Sequence, residues 1–142
     1  MPQEVKSEGI FLFHILVVDD DKNTRRLLRA VLEEENYTVF TAENGEEALS
    51  IIDKEHIDLV VLDVMMPKMD GKKVLKAIRD IERQREIEES RRVKIIMTTA
   101  LNDTTNVFDS FESGCEAYAA KPIDTDKFIK VMEILGLINK EG

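Results

Sequence analysis

The stretch His14-Ile15-Leu16-Val17-Val18-Asp19-Asp20-Asp21-Lys22 runs from four consecutive aliphatic residues straight into three carboxylates. An unbroken apolar run of strand length, rather than an alternating one, predicts a strand covered on both faces. Adjacent acids repel one another, and burying any of them without a partner is costly. A covered strand that ends in stacked negative charge therefore calls for a cation or a ligand at its end.

Working outward, five apolar segments rich in Val, Ile and aromatics recur at 13–19, 37–42, 57–63, 93–98 and 116–120. The first, third and fourth are nearly continuous hydrophobic runs, the signature of central strands in a parallel sheet. Between them lie stripes at helical spacing: Leu27, Leu28, Val31 and Leu32; Ala48, Leu49 and Ile52; Val74, Leu75, Ile78 and Ile81; Val107, Phe108 and Phe111; and Phe128, Val131, Met132 and Leu135. Asp21, Asn44 and Asp124 stand where helix N-caps belong, and Gly114 where the fourth helix would stop. Strict alternation of strand and helix predicts βαβ crossovers and an α/β sheet with helices on both faces.

The chain has 142 residues, 43% of them hydrophobic and 35% charged, which suits one core. Its formal net charge of −9 argues against a surface built to grip nucleic-acid phosphates. A single cysteine, Cys115, leaves no partner for an intramolecular disulfide and no thiolate cluster; packing as a small hydrophobe is its expected role. The apolar run at 10–18 is too short to span a bilayer, and the preceding MPQEVKSEG lacks the basic start of a secretory signal. The expected layout is a short, loose N-terminal arm over 1–12, one domain over 13–139 and a tail at 140–142, with no output domain, in the cytoplasm.

In open parallel α/β sheets, ligands bind beyond the carboxyl ends of the strands. The predicted strands deliver Asp19, Asp20 and Asp21, then Asp63, then Thr98 and Thr99, then Lys121 to that rim. Carboxylates without Cys or His select Mg²⁺ or a similar hard cation. Such an ion bridges to a phosphoryl oxygen, while a lysine and a hydroxyl take the others. Asp63 is then placed to act as nucleophile and form an aspartyl-phosphate. Taken singly, each residue has a plainer role: an acid at a strand end is often a cap or turn former, Thr99 a locally bonded hydroxyl and Lys121 a solvated surface lysine. Agreement in order and position carries the argument. His14 and His56 show no His, Cys or carboxylate partner at ligand spacing, and structural or surface roles are expected for them.

The motifs VVDDD at the first strand, LVVLDVMMPKMDG at the third, IMTTA at the fourth and AYAAKP at the fifth together resemble the receiver domain of two-component response regulators. The resemblance spans roughly 13–139. It implies a flavodoxin-like, doubly wound, five-stranded parallel sheet in the order 2-1-3-4-5 with five helices. It also implies Asp63 as phospho-acceptor and Mg²⁺ held by Asp20, Asp63 and the Met65 backbone carbonyl, with Asp19 indirect or through water. Thr99 matches the switch hydroxyl, Lys121 the lysine that pairs with the phosphoryl group, and Tyr118 the aromatic switch. Lys121-Pro122 matches a bond commonly cis in the family. The implied donor is a histidine kinase or histidine phosphotransfer protein. The implied readout is a protein target docking on the face of the fourth helix, fifth strand and fifth helix, in a monomer or weak phosphorylation-dependent dimer. Such a protein is a signalling phospho-acceptor rather than a turnover enzyme, with neither nucleic-acid contact nor membrane insertion.

Two features need separate comment. The charged run over 80–92, DIERQREIEESRR, is expected to be a solvated extension of the third helix, with Glu88 and Arg92 as an i,i+4 pair. In receivers, which the chain resembles, the neighbours of the acceptor and switch positions influence hydrolysis, so the apolar Met65 and Leu101 there imply slow intrinsic loss of the phosphoryl group. Among rival readings, a haloacid-dehalogenase-type phosphatase would need a hydroxyl where Asn23 stands. A P-loop at MDGKK lacks its earlier glycine and has Lys73 in place of Ser or Thr. A degenerate receiver is disfavoured because all five hallmark positions are filled.

Overall fold

A computed structural model describes residues 4–5, 11–100 and 114–137. Five parallel strands make the sheet: β1 (His14–Val18), β2 (Thr38–Ala42), β3 (Leu59–Asp63), β4 (Lys94–Ala100) and β5 (Ala117–Lys121). They lie in the spatial order β2-β1-β3-β4-β5, the doubly wound order expected from the resemblance. Four α-helices are described: α1 (Lys22–Glu34), α2 (Gly45–Lys54), α3 (Gly71–Gln84) and α4 (Thr125–Ile134). The apolar stripe at 107–111 and Leu101 lie outside the described residues. Within the arm, Glu4–Val5 pairs antiparallel with Phe11–Leu12.

Every residue of β1 and β3 is buried, and alternate side chains feed two separate cores. Leu16, Val18, Val60 and Leu62 point to the layer that holds Val74, Leu75 and Ile78 of α3 and Ala48 of α2. Ile15, Val17, Leu59 and Val61 point to the layer of Leu28 and Leu32 from α1 and Phe128 and Met132 from α4. Covering both faces is what right-handed crossovers on either side of a parallel sheet require. The three expected caps form: Asp21 accepts from the Asn23 N–H, Asn44 from Glu47 and Asp124 from Lys127. Asp70, which the sequence did not single out, caps α3 through the Lys73 N–H.

The run over 80–92 departs from expectation. α3 stops at Gln84, Glu86 takes a left-handed backbone (φ 54), and a 3₁₀ turn covers Glu89–Arg91. No helix joins Glu88 to Arg92, so their i,i+4 pairing has no helix to sit on. The physical cause lies before the break. Arg79 and Glu82 are buried and tied to the residues that lead into β4 and β5, whereas Arg83, Gln84, Arg85 and Glu86 are exposed, so only one side of the charged end of α3 faces protein. The histidines also differ. His56 Nε2 lies 3.0 Å from the Asp58 carboxylate, which in turn accepts the His14 backbone N–H at 2.8 Å. His56 thus has a carboxylate partner, at the amino-terminal rim of the sheet.

Candidate functional site

The strand register decides what meets at the carboxyl rim. Val18 pairs with Ala42 and with Leu62, Asp63 with Thr98, and Ala100 with Lys121. Asp19 and Asp63 therefore emerge side by side between β1 and β3, where the strand order reverses and a doubly wound sheet opens its crevice.

Both acids are almost fully enclosed, Asp19 at 2% and Asp63 at 3% exposure, whereas Asp20 is exposed. The Lys121 ammonium bridges the enclosed pair, 2.9 Å from Asp19 Oδ2 and 3.2 Å from Asp63 Oδ2. The remaining Asp63 oxygen accepts the Met65 N–H at 3.3 Å, and Asp19 Oδ1 accepts the Asp21 N–H at 2.9 Å. Burial, with the neighbouring Asp19 charge, pushes the Asp63 carboxyl up to about 6; Lys121 and the Met65 N–H pull the other way. Burial opposes the charge on Lys121. Its hydrogen bond to Asp19 and the charges of both acids outweigh that cost and hold the ammonium above its ordinary range. Asp21 is lowered by the Thr24 hydroxyl and the Asn23 N–H, as befits a capping carboxylate outside the crevice.

One oxygen from each of Asp19, Asp20 and Asp63 falls within 4.8 Å of the others. One ammonium against three carboxylates leaves an excess of negative charge, and an all-oxygen donor set fits a hard divalent cation. The structure thus brings together Asp19, Asp20, Asp63 and Lys121. Thr99 is buried at the carboxyl end of β4, one residue beyond the Thr98 that pairs with Asp63. Tyr118 stands apart, opposite Met97 in β5 and packed against the α2–α3 core layer. The Met65 side chain is 66% exposed two residues beyond Asp63, and Lys121-Pro122 is cis.

Two positioning features escaped the sequence. Gly71 opens α3 directly under the acid: its N–H donates to the Val64 carbonyl at 2.9 Å, and a Cβ there would lie 2.1 Å from the Asp63 backbone oxygen. Arg25 donates to the Asp19 carbonyl at 2.8 Å. The Asp70-Gly71 step before an apolar stripe was a visible start signal for α3; the close approach behind it was not. Gly71→Ala is expected to destabilise the protein by about 1–3 kcal/mol, because backbone must move to admit the methyl. Urea unfolding followed by circular dichroism measures this, and a loss below about 0.5 kcal/mol would show that the helix start shifts freely.

Comparison with known proteins follows the same lines. The family model described as the response regulator receiver domain matches residues 15–133. The transcriptional regulatory protein ResD of Bacillus subtilis (strain 168) is 44% identical over 108 residues, 76% of this chain and 41% of that protein. The chain therefore spans about two fifths of the length of that relative. Among solved structures, chemotaxis protein CheY4 of Vibrio cholerae superposes with a TM-score of 0.77 at 27% identity, covering 87% of this chain and 98% of that one. A complex of the Saccharomyces cerevisiae histidine phosphotransfer signaling protein Ypd1 with the receiver domain of its downstream response regulator Ssk1 matches with a TM-score of 0.78 at 27% identity. That match covers 85% of this chain and 87% of the other. Among the described residues, no helix is long and apolar enough to cross a membrane.

Proposed function

The chain belongs to the response regulator receiver family, and from that premise we propose that Asp63 accepts a phosphoryl group from a phosphohistidine of a histidine kinase or histidine phosphotransfer protein. The observation that carries the proposal is the enclosed Asp63 carboxylate, held 3.2 Å from Lys121 inside a cluster of acids at the sheet's reversal point. In the transfer, an Asp63 oxygen bonds to phosphorus as the phosphorus–nitrogen bond breaks. The electron pair leaves with the imidazole, which takes up a proton.

Asp20, Asp63 and the Met65 carbonyl would hold Mg²⁺, with Asp19 acting indirectly. When bound, the ion supplies positive charge that offsets the charge on the phosphoryl oxygens. Lys121, released from Asp63 as that carboxylate becomes an acyl phosphate, pairs with a phosphoryl oxygen. Thr99 donates its hydroxyl to another. Tyr118 and the surface around β5 and α4 carry the change outward to a protein target. Signalling by a trapped phosphoryl group, rather than turnover, is the expected behaviour.

Intact-mass measurement after incubation with Mg²⁺ and a small phosphodonor tests the reading. One phosphoryl group is expected on the native chain, and none when a chelator replaces the metal. Unchanged mass on the native chain, or labelling that ignores the chelator, would overturn it.

A further inference from the structure

We propose that Arg25 is a positioning residue for the divalent-cation site, acting through the peptide that carries Asp20; the proposal rests on reading the three carboxylates as that site. Arg25 is the fourth residue of α1. A cation so close to the positive end of a helix is electrostatically disfavoured, so its placement calls for a compensating contact. The side chain does not run out to solvent. It is 18% exposed, its Nη1 donates to the Asp19 carbonyl at 2.8 Å, and its Nη2 lies 4.0 Å from Glu43 Oε2 beyond the end of β2.

That carbonyl matters because of what shares its plane. A peptide is rigid, so fixing the Asp19 C=O fixes the direction in which the chain enters Asp20. The other polar groups of the turn are also engaged. The Asp19 N–H donates to the Ala42 carbonyl at 3.1 Å, and Asp19 Oδ1 accepts the Asp21 N–H at 2.9 Å. Asp21 accepts from the Asn23 N–H and the Thr24 hydroxyl. Asp20 sits between these anchored residues, and no hydrogen bond or ion pair holds its own carboxylate among the described residues. With no contact of its own, that carboxylate depends on the backbone for the direction in which its Cα–Cβ bond leaves the chain. Arg25 holds the Asp19–Asp20 peptide through its carbonyl, which neither the sheet nor the helix cap engages, and so aims the exposed member of the acid triad.

Magnesium affinity of the full chain, measured by isothermal titration calorimetry, tests this, with melting in chelator as a check on folding. Arg25→Met is expected to weaken binding about 10-fold, as is usual when a group that orients a metal ligand is removed. Arg25→Gln, polar and helix-compatible but too short to reach the carbonyl, is expected to show the same loss and guards against a folding defect. Arg25→Lys, which keeps a donor of similar reach, is expected to recover most of the affinity. In an Asp20→Asn background the Arg25→Met loss is expected to shrink below about twofold, since the residue then has no ligand to aim. Native affinity in Arg25→Met and Arg25→Gln, or an undiminished loss in the Asp20→Asn background, would refute the role of Arg25. Native affinity in Asp20→Asn would instead refute the cation site on which the proposal rests.

Discussion

Asp63→Asn is expected to abolish phosphoryl incorporation and, without divalent cation, to make the protein more stable at neutral pH than the native chain. The first effect follows from removing the nucleophilic oxygen while keeping the shape of the side chain. The second follows from electrostatics. The native carboxyl titrates at about 6, above the 3.8 it has in an open chain, because it is buried beside Asp19. As pH rises from about 4 to about 6 the unfolded chain releases this proton first, so the folded state is progressively penalised. Below that window the group is neutral in both states and contributes nothing; above it the penalty is complete, at roughly 3 kcal/mol. An asparagine carries no such charge, and Lys121 keeps its 2.9 Å contact with Asp19. The variant's advantage is thus near zero at about pH 4 and reaches roughly 2–3 kcal/mol above about pH 7. Saturating Mg²⁺ is expected to erase it by stabilising the native chain selectively. Chemical denaturation across this pH range, with chelator and with Mg²⁺, measures all three. An advantage that does not change with pH would mean that Asp63 is not strained by charge.

The reach and limits of the sequence show in particular residues. Ile15–Val18 and Leu59–Leu62 read as covered strands because they are short, continuous apolar runs rich in β-branched residues, and they are buried on both faces. Parallel strands bring Asp19 and Asp63 to one rim, and the order implied by the resemblance sets them side by side, so the acid cluster was legible before any contact was known. The ammonium bridge from Lys121 was legible only as a strand-end lysine; its two distances depend on the β4–β5 register. Gly71 and Arg25 were hidden for a different reason. Each acts on a backbone carbonyl, and every residue has one, so composition and spacing carry no mark of it. The run over 80–92 is solvated over most of its length, as its charge suggests, but it misled in two respects: the helix stops at Gln84, and Glu82 is buried. Arg79 and Glu82 continue the apolar stripe of Leu75 and Ile78 at helical spacing, which was the available warning. Their partner Glu116 lies 37 residues from Arg79 and leaves no local trace.

That buried set gives the largest expected loss of stability. Arg79 is 8% exposed, and its guanidinium contacts Glu82 at 2.6 Å and both oxygens of Glu116 at 2.8 and 3.0 Å. It also donates to the carbonyls of Val93 and Gly114. The two glutamates in turn accept the backbone N–H groups of Val93 and Ile95, so the cluster ties α3 to the starts of β4 and β5. Arg79→Met keeps most of the volume but leaves two facing carboxylates without the guanidinium that joins them, and a cost of about 3–5 kcal/mol is expected. Burial already raises the Glu116 carboxyl, with the Ile95 N–H, Arg79 and Lys94 opposing it and Glu82 adding to it. Without Arg79 the Glu116 carboxyl is expected to hold its proton to higher pH in the folded state than in the unfolded one. The variant's penalty is then largest at about pH 7.5 and smaller at about pH 5, where protonation removes the repulsion. Adding Glu82→Gln and Glu116→Gln to Arg79→Met keeps acceptors for both N–H groups and removes both charges, and is expected to restore at least about half of the loss. Phosphoryl incorporation per folded molecule is expected to stay near native, because this cluster sits at the opposite rim from Asp63. A pH-independent loss, or no recovery on neutralising the glutamates, would mean that Arg79 contributes by packing its aliphatic stem rather than by compensating buried charge.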